Sequence, residues 1–320
     1  MSHPAFSDIP TNPDVIIIGA GSAGLGAARR LQKEGKSFVV IEAADRVGGR
    51  AWTQSDSFGV PVDMGASWVS GADKNPYTKI ARKNGFHLVE HTHAKTDLFR
   101  LDGSRADAQD FDDYAKNFKA MEKAMCKAAK KGRDVAASEV IPNDLPWIGA
   151  IQSWMGPMDY GVDFDEISTL DDWDSESDQP SYFVREGLGA VVATKAEGLP
   201  IKLNTTVSHI DWSGNGVRIA PNNGTLQAKA CIITVSTGVL AAGRIRFTPE
   251  LPPAKVEAAH NLPMGLLVKV PMMFDGARVG LGENNWVTYQ VPNEMPAKAC
   301  YFIAWPCGHN YLFGNIGGKL

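Results

Sequence analysis

The sequence predicts an α/β fold that begins with a dinucleotide-binding unit, and three observations near the N-terminus support this prediction. Val15–Ile18 is a continuous β-branched run, as expected of a strand that is buried on both faces. The pattern G-x-G-x-x-G occupies 19–24, directly at the strand exit. A second apolar run, 37–41, ends in Glu42. The order strand, glycine turn, helix, strand and acid is typical of a Rossmann-like βαβ unit.

Each glycine of the pattern has its own steric role. Gly19 permits the tight turn, Gly21 lets the backbone approach a pyrophosphate, and Gly24 lets the following helix pack on the strand. That helix is predicted over 22–34, and Gly35 ends it. Its first N–H groups and the positive end of its dipole point to where the phosphates would lie.

Glu42 lies eighteen residues after Gly24 and ends the second predicted strand. A carboxylate there can accept hydrogen bonds from both ribose hydroxyls, about 1.5–3 kcal/mol for each charge-assisted bond. An acid instead of a base argues against a 2′-phosphate. The bare glycine pattern also occurs in ordinary turns, but the flanking strands, helix and acid favour a dinucleotide. NAD and FAD both remain open at this point.

Two more motifs follow Glu42. The segment 43–50 ends in Gly48-Gly49-Arg50, where backbone and a guanidinium fork can approach a pyrophosphate. In the segment 62–69, Gly65 and Ala66 are small enough to let a flat ring system lie against the backbone.

These motifs, E-A-x-x-R-x-G-G-R followed by D-x-G-A-S-W, resemble those of the flavin-containing amine oxidases. The family includes monoamine oxidases, polyamine oxidases, L-amino-acid oxidases and lysine-specific histone demethylases. The resemblance selects FAD over NAD. It implies a Rossmann-like FAD-binding domain of the GR2 type of flavoprotein, joined to a substrate domain with a mixed sheet and helices. The similarity continues through the segments 182–189, 203–210, 230–240, 247–252 and 264–270.

Carried over residue by residue, the resemblance predicts a cofactor site and one catalytic side chain. It places the backbone of Val207 against the adenine and makes Lys269 the active-site lysine. The predicted cofactor-binding residues are Gly19, Gly21, Ser22, Ala23, Gly24, Glu42, Ala43, Gly49, Arg50, Gly65, Ala66, Ser67, Trp68 and Val207.

Lys269 lies between Val268 and Val270 in an apolar run that we predict to be buried. An ammonium in such a run is costly unless it has a partner or loses its proton. In the family the equivalent lysine holds a water against flavin N5. The alternative is that strand alternation simply directs Lys269 to solvent.

The resemblance implies FAD-dependent oxidation of an amine to an imine by hydride transfer to flavin N5, with reoxidation by O2 giving H2O2. The expected reaction partners are a small amine and O2. No cysteine stands in the flavin-linking context of the monoamine oxidases, so we expect non-covalent FAD. Two alternatives remain open: a flavin-dependent desaturase or dehydrogenase of an apolar substrate, and a non-catalytic truncated flavoprotein.

The chain departs from the family pattern at several positions. Ala44 stands where many members carry an Arg near the adenosine. Ser70 stands where polyamine oxidases often place a Glu or His, and Ser67 and Trp68 stand where amino-acid oxidases usually carry an Arg. Ser70 weakens an assignment as a polyamine oxidase, and Ser67 and Trp68 weaken an assignment as an amino-acid oxidase. The chain also stops at residue 320, in the middle of the expected substrate domain, so we expect a C-terminally truncated member.

Composition narrows the choice of partners. With 320 residues, 44% hydrophobic and 21% charged, the chain is typical of a soluble globular protein with a sizeable core. Its net charge of −4 argues against nucleic acid as the main ligand. No apolar run approaches the ~20 residues that span a bilayer, so no membrane partner is expected.

The cysteines and histidines give no sign of a metal site. Cys126, Cys231, Cys300 and Cys307 are widely spaced, so we expect free thiols and a reducing, cytoplasmic location. The segment 1–13 lacks the pattern of a secretory signal. The pair His91 and His93 has no neighbouring ligand set, which favours a surface strand or loop over a metal site.

We expect two domains, the first of them discontinuous. Residues 1–75 and 185–250 are predicted to form the FAD-binding domain, and 76–184 and 251–320 the substrate-binding domain, incomplete at its C-terminus. Helices are predicted from Pro76 to Gly85 and from about Phe111 to Gly132, the latter amphipathic through Phe111, Tyr114, Phe118, Met121 and Met125.

The stretch 159–178 carries nine acidic residues and no Lys or Arg. We predict a solvated loop there, or an acidic rim that concentrates a cationic amine.

Overall fold

In the computed structural model of the chain, residues 7–8, 10, 12–142, 144–175, 179–222 and 224–319 are described. The strands are, in chain order, β1 (Val15–Ile18), β2 (Phe38–Ile41), β3 (Thr53–Gln54), β4 (Val62–Asp63), β5 (Trp68–Val69), β6 (Leu88–Glu90), β7 (Thr96–Phe99), β8 (Tyr182–Val184), β9 (Ile201–Lys202), β10 (Val207–Asp211), β11 (Val217–Pro221), β12 (Leu226–Ala228), β13 (Ala230–Ile233), β14 (Arg246–Thr248), β15 (Leu267–Met273), β16 (Trp286–Tyr289), β17 (Cys300–Ala304) and β18 (Tyr311–Gly317). The helices are α1 (Ser22–Lys33), α2 (Pro76–Lys83), α3 (Ala108–Ala129), α4 (Ile148–Ser153), α5 (Thr169–Asp174), α6 (Leu188–Ala193), α7 (Thr237–Ala241) and α8 (Pro253–Asn261), and a π-helical turn, Trp154–Met158, follows α4.

The chain divides into two compact units. The first unit comprises Met1–Trp68, Pro76–His87 and Glu186–Met264, and the second comprises Val69–Asn75, Leu88–Arg185 and Gly265–Leu320. These bounds differ from the predicted domains at α2 and α8, both of which belong to the first unit, and at Val69–Asn75, which belongs to the second. The reason is packing: Tyr77 of α2 lies against the apolar core of the parallel sheet, and α8 packs on α7.

The first unit is built on a parallel sheet with the strand order β13-β1-β2-β9. Its central strands β1 and β2 are apolar throughout because both of their faces are covered, as the continuous β-branched sequence predicts. Leu25 and Ala28 of α1 pack on one face, and Ile210 and Ile219 of a second sheet lie in the cluster on the other. That second sheet has the order β12-β11-β10-β14.

The second unit is built on a five-stranded sheet with the order β15-β18-β17-β16-β7. Its main apolar cluster joins Leu98 of β7 to Met121 and Met125 of α3 and to Ile148 and Ile151 of α4. Helix α3 confirms the predicted amphipathic helix, and Tyr114 and Phe118 also pack against the cluster. Phe111 is the exception: it lies in the first helical turn and is 41% exposed.

The run around Lys269 is not buried, contrary to the prediction. Strand β15 lies at the edge of the five-stranded sheet, and Val268 and Val270 are 42% and 41% exposed. Lys269 itself is half-buried, on the opposite face of the strand. The sequence could not reveal this, because an apolar run looks the same whether or not its sheet face is covered.

The acidic stretch is not a simple solvated loop. It contains a short 3-10 turn, Phe164–Glu166, and helix α5. Asp163 is buried and accepts a hydrogen bond from the Lys319 backbone N–H over 3.2 Å. Most of its other described acidic residues are exposed. The last part of the predicted stretch, 176–178, lies outside the described residues, as does the final residue, 320.

His91 is buried, whereas the sequence suggested a surface position. Its ring lies 4.3 Å from that of Phe183 and 5.6 Å from that of Trp286, and its Nε2 bonds to the Asn284 carbonyl over 2.8 Å. Desolvation lowers the pKa of His91 to about 4, because burial disfavours the charged imidazolium.

The four cysteines are all free thiols. Burial raises the pKa of Cys231 to about 12 and that of Cys300 to about 11. None of the described helices is both long and apolar enough to cross a bilayer.

We expect the stability of the chain to fall as pH decreases from about 6.5 to about 4. The unfolded chain takes up a proton on His91 near its ordinary pKa of 6.5, whereas the folded chain does so only at about 4. The free energy of unfolding therefore falls by about 3 kcal/mol across this window because of His91. Above pH 6.5, His91 makes no contribution to the pH dependence. Urea unfolding at closely spaced pH values measures the effect.

A matched pair of variants isolates His91 in this experiment. His91→Phe should flatten the decline between pH 6.5 and 4, and His93→Gln, at an exposed position, should not. Equal slopes for His91→Phe and the unmodified protein would show that His91 is not the responsible group.

Candidate functional site

The glycine turn after β1 is fixed by backbone contacts that leave no room for a side chain. Gly19 has φ +104 and its N–H donates to the Ile41 carbonyl over 2.8 Å. A Cβ on Gly24 would lie 1.9 Å from the Gly19 carbonyl oxygen. Thr234 closes the turn from the β13 side, donating its hydroxyl to the Ile18 carbonyl over 2.8 Å. The close approach of α1 to β1 thus requires glycine at both positions.

The N-terminus of α1 is arranged to receive an anion. Its N-cap is Gly21, which supplies no side-chain cap, and its first turn carries no acidic residue. Ser22 and Ala23 are exposed there, and the Ser22 hydroxyl lies 2.5 Å from that of Tyr77. The helix dipole therefore meets no acid of its own first turn.

Glu42 is held at the end of β2 by two backbone N–H groups. Its Oε2 accepts from Ala20 over 2.7 Å and its Oε1 from Ala44 over 2.9 Å. A carboxylate has about four acceptor positions, so both oxygens keep capacity for ribose hydroxyls. Ala43, which lies between Glu42 and Ala44 in sequence, is exposed.

The diglycine loop lies directly against the glycine turn. The Gly48 N–H donates to the Ala20 carbonyl over 2.9 Å, and Gly48 and Gly21 form a parallel bridge. A Cβ on Gly49 would come within 3.2 Å of the Gly21 Cα. Arg50, next in sequence, is exposed. Two glycine motifs that are far apart in sequence thus form one surface of bare backbone.

Arg46 braces this loop and was missed by the sequence analysis. Its Nη1 donates to the Gly49 carbonyl over 2.9 Å, and its guanidinium lies 4.6 Å from the centre of the Trp52 ring. Burial lowers its pKa. Spacing within the motif E-A-x-x-R-x-G-G-R does not reveal that this Arg contacts the loop backbone.

The segment 63–68 packs on the residues after the diglycine loop. A Cβ on Gly65 would lie 1.9 Å from the Arg50 carbonyl oxygen, and the Ala66 N–H donates to the same oxygen over 3.0 Å. This backbone contact alone requires glycine at 65, so the ring-binding role predicted for Gly65 is not needed to explain it. Ser67 is buried and Trp68 half-buried.

Asp63 anchors a helix, a role the sequence did not suggest. Its carboxylate accepts from the Leu188 N–H over 2.9 Å and the Gly189 N–H over 3.2 Å, at the start of α6. The Thr53 hydroxyl donates to Asp63 and accepts from the Ala190 N–H. The conformation of D-x-G-A-S-W is therefore tied to the end of the glycine-containing segment 182–189.

Val207 lies at the start of β10, buried in the first unit. The residues just before it are hydrogen-bonded to the Glu42 region: the Thr205 N–H donates to the Glu42 carbonyl over 2.8 Å, and the Asn204 N–H to the Ala44 carbonyl over 2.9 Å. The first unit thus brings the predicted cofactor-binding residues into one connected group of backbone turns. Their roles toward a ligand remain predictions.

Lys269 belongs to the second unit. Its ammonium lies 4.6 Å from the centre of the Phe313 ring, a cation–π contact with the neighbouring strand β18. Phe313 is 3% exposed, so the ring is a fixed partner. No group of three or more His, Cys, Asp or Glu within the described ranges is arranged to hold a metal ion.

In a comparison with known proteins, the model of the flavin-containing amine oxidoreductase family matches residues 22–158 and 162–294 of this chain. The chain belongs to this family. It is 31% identical over 297 residues to polyamine oxidase 2 of Arabidopsis thaliana, covering 82% of this chain and 59% of that protein. It is 32% identical over 295 residues to lysine-specific histone demethylase 1 homolog 1 of the same plant, covering 82% of this chain and 34% of that protein.

The fold is that of the family as well. A solved structure of putrescine oxidase bound to putrescine superposes with a TM-score of 0.75 at 19% identity, covering 96% of this chain and 76% of that one. The chain spans about three fifths of the length of the polyamine oxidases that it matches.

We expect Gly24→Ala to weaken both folding and cofactor binding. The new methyl group would meet the Gly19 carbonyl oxygen, which is backbone and cannot move aside without opening the turn. Overpacking of this kind costs about 1–3 kcal/mol. We predict a lower melting temperature and at least a tenfold weaker FAD affinity, measured by flavin fluorescence titration.

Gly26→Ala is the matched control on the same helix. A Cβ added at Gly26 would have no atom within 4 Å, and an Ala there should stabilise α1 by about 0.5–1 kcal/mol. Its FAD affinity should be unchanged. A Gly24→Ala protein that behaved like Gly26→Ala would contradict the contact.

Proposed function

We propose that this chain binds FAD non-covalently and oxidises a small amine to an imine. The observation that carries the proposal is the bare-backbone surface formed by the turn 19–24 and Gly48–Gly49, with Glu42 fixed beside it. Family membership supplies the chemical class of the cofactor.

The residues of this surface fit the cofactor chemically. The uncapped N-terminus of α1 and the diglycine backbone suit a pyrophosphate, because exposed N–H groups and the helix dipole stabilise negative charge. Glu42 suits a ribose without a 2′-phosphate, because a second anion beside its carboxylate would be repelled. Bound FAD would supply the hydride acceptor, and its reoxidation by O2 would release H2O2.

The chain's own contribution is to hold the cofactor and substrate and to place Lys269. A half-buried ammonium over an aromatic ring has a restricted position, which suits a group that must hold a water in a fixed place. We therefore keep Lys269 as the proposed catalytic residue.

The proposed substrate class is an aliphatic amine. The matched relatives include polyamine oxidases and lysine demethylases, and both names refer to substrates that carry an amine on an alkyl chain. A panel of putrescine, spermidine, spermine, N-methylated lysine peptide and benzylamine tests this, with peroxide release as the readout.

We expect Lys269→Met to lower peroxide turnover at least tenfold while the protein keeps its bound flavin. Methionine preserves the unbranched apolar stem of the side chain but removes the ammonium. Lys298→Met, at an exposed position of the same unit, is the control and should leave turnover unchanged. Undiminished turnover in Lys269→Met would exclude this lysine from the reaction. A flavin-loaded protein inert to the whole amine panel would contradict the proposed function.

A further inference from the structure

One buried side chain lies directly opposite Lys269 and is not explained by the fold. In the antiparallel pairing of β15 with β18, Lys269 is opposite Asn315, and in the pairing of β17 with β18, Tyr301 is opposite Asn315. Directly opposed residues share one face of a sheet and bring their Cβ atoms to about 4.5–5.5 Å. Phe313, two residues before Asn315, lies on the same face and contacts the Lys269 ammonium.

Asn315 is 1% exposed, and its Oδ1 has no hydrogen-bond partner within the described part of the chain. Its Nδ2 donates to the Tyr301 carbonyl over a long 3.4 Å. Buried amide oxygens are almost always paired, so an unpaired one requires an explanation. The amide oxygen can only accept a hydrogen bond, and the donor opposite it is an ammonium with three N–H groups.

The surroundings of Asn315 keep it in place. Helix α4 and the π-helical turn cover this face: the Tyr301 hydroxyl donates to the Ala150 carbonyl, and the Trp154 ring packs edge-on against the Tyr301 ring at 5.1 Å. A Cβ on Gly317 would collide with the Pro157 carbonyl oxygen, so β18 is pressed directly against the turn. The amide is therefore fixed in a packed layer and cannot turn to solvent for a partner.

We propose that Asn315 is a positioning residue for Lys269: its Oδ1 accepts a hydrogen bond from one ordered water that in turn accepts from the Lys269 ammonium. The catalytic importance of this pair rests on the proposed function, but the pairing itself does not. Asn315 holds the lysine in its charged form and restricts where its nitrogen lies. A water placed between two such groups would make hydrogen bonds to both.

Other titratable groups near this face must stay constant in any test. They are Tyr301 on β17, Tyr311 on β18, Asp159 after the π-helical turn, and Asp163, which bonds to the chain after β18. Burial, followed by the neighbouring Tyr114, Asp159 and Tyr289, raises the pKa of Tyr301 well above its ordinary value, so this tyrosine stays neutral. The variants below change none of these groups.

The test is the pH profile of Lys269 acylation in the full chain, measured by trace labelling with acetic anhydride and peptide mass spectrometry. Only the neutral amine reacts. Asn315→Leu removes the acceptor and so destabilises the ammonium. The midpoint of the profile should move down by about one pH unit, which corresponds to a tenfold faster reaction at a given pH below the midpoint. Asn315→Asp adds a negative charge and should move the midpoint up by a similar amount.

Asn117→Leu is the matched control. Asn117, on α3, is also a buried amide of the second unit, and its Nδ2 donates to the Pro146 carbonyl over 2.9 Å. Its replacement removes a buried amide at a different place and should leave the Lys269 profile unchanged. Opposite shifts in the two Asn315 variants would not arise from a general loss of packing.

The outcomes separate this inference from the proposed function. Unshifted profiles in both Asn315 variants would overturn the inference, even if Lys269→Met abolishes turnover. Opposite shifts in a protein that forms no peroxide would support the inference and contradict the function. If neither variant folds, a high-resolution structure of the unmodified chain decides: a donor other than Lys269 or its water bonded to Oδ1 would overturn the pairing.

Discussion

The contact between Gly24 and the Gly19 carbonyl is the constraint on which the first unit depends. It sets the distance between α1 and β1, and with it the position of every backbone group around the turn. Glu42 and the diglycine loop are then attached to this turn through a single short stretch of chain, Ala20 and Gly21. The diglycine loop is attached by backbone atoms alone, whereas Glu42 is attached through its own carboxylate, which accepts from the Ala20 N–H.

The parts of the fold predicted correctly from sequence are those in which local chemistry decides the structure. The bounds of β1 coincide with the β-branched run, and α2 begins at its predicted proline. The predicted second strand, 37–41, is also present as β2. In each case residue type, turn residues and neighbours in sequence point to the same answer.

The features that were not predicted from the sequence depend on which distant segment of the chain covers a residue. The exposure of Val268 and Val270, the burial of His91 and the buried Asp163 all follow from tertiary packing that no local pattern encodes. The roles of Arg46 and Asp63 were missed for a related reason: both bind backbone groups, Asp63 more than a hundred residues away. Asn315 could not have been singled out either, because an asparagine in an apolar strand gains its meaning only from the residue opposite it.

The strand order of the parallel sheet has a consequence for how the protein is made. Val15 of β1 pairs with Ala230 of β13, so this central strand cannot complete its pairing until a segment 215 residues later in the chain has been synthesised. At about 5–20 residues per second, a ribosome needs roughly 10 to 40 s to supply that neighbour. During this interval one edge of a very apolar strand is without its partner, and pairing over so large a sequence separation is intrinsically slow. Biosynthesis of this chain is therefore expected to rely on chaperones that shield the N-terminal strands until translation has passed β13.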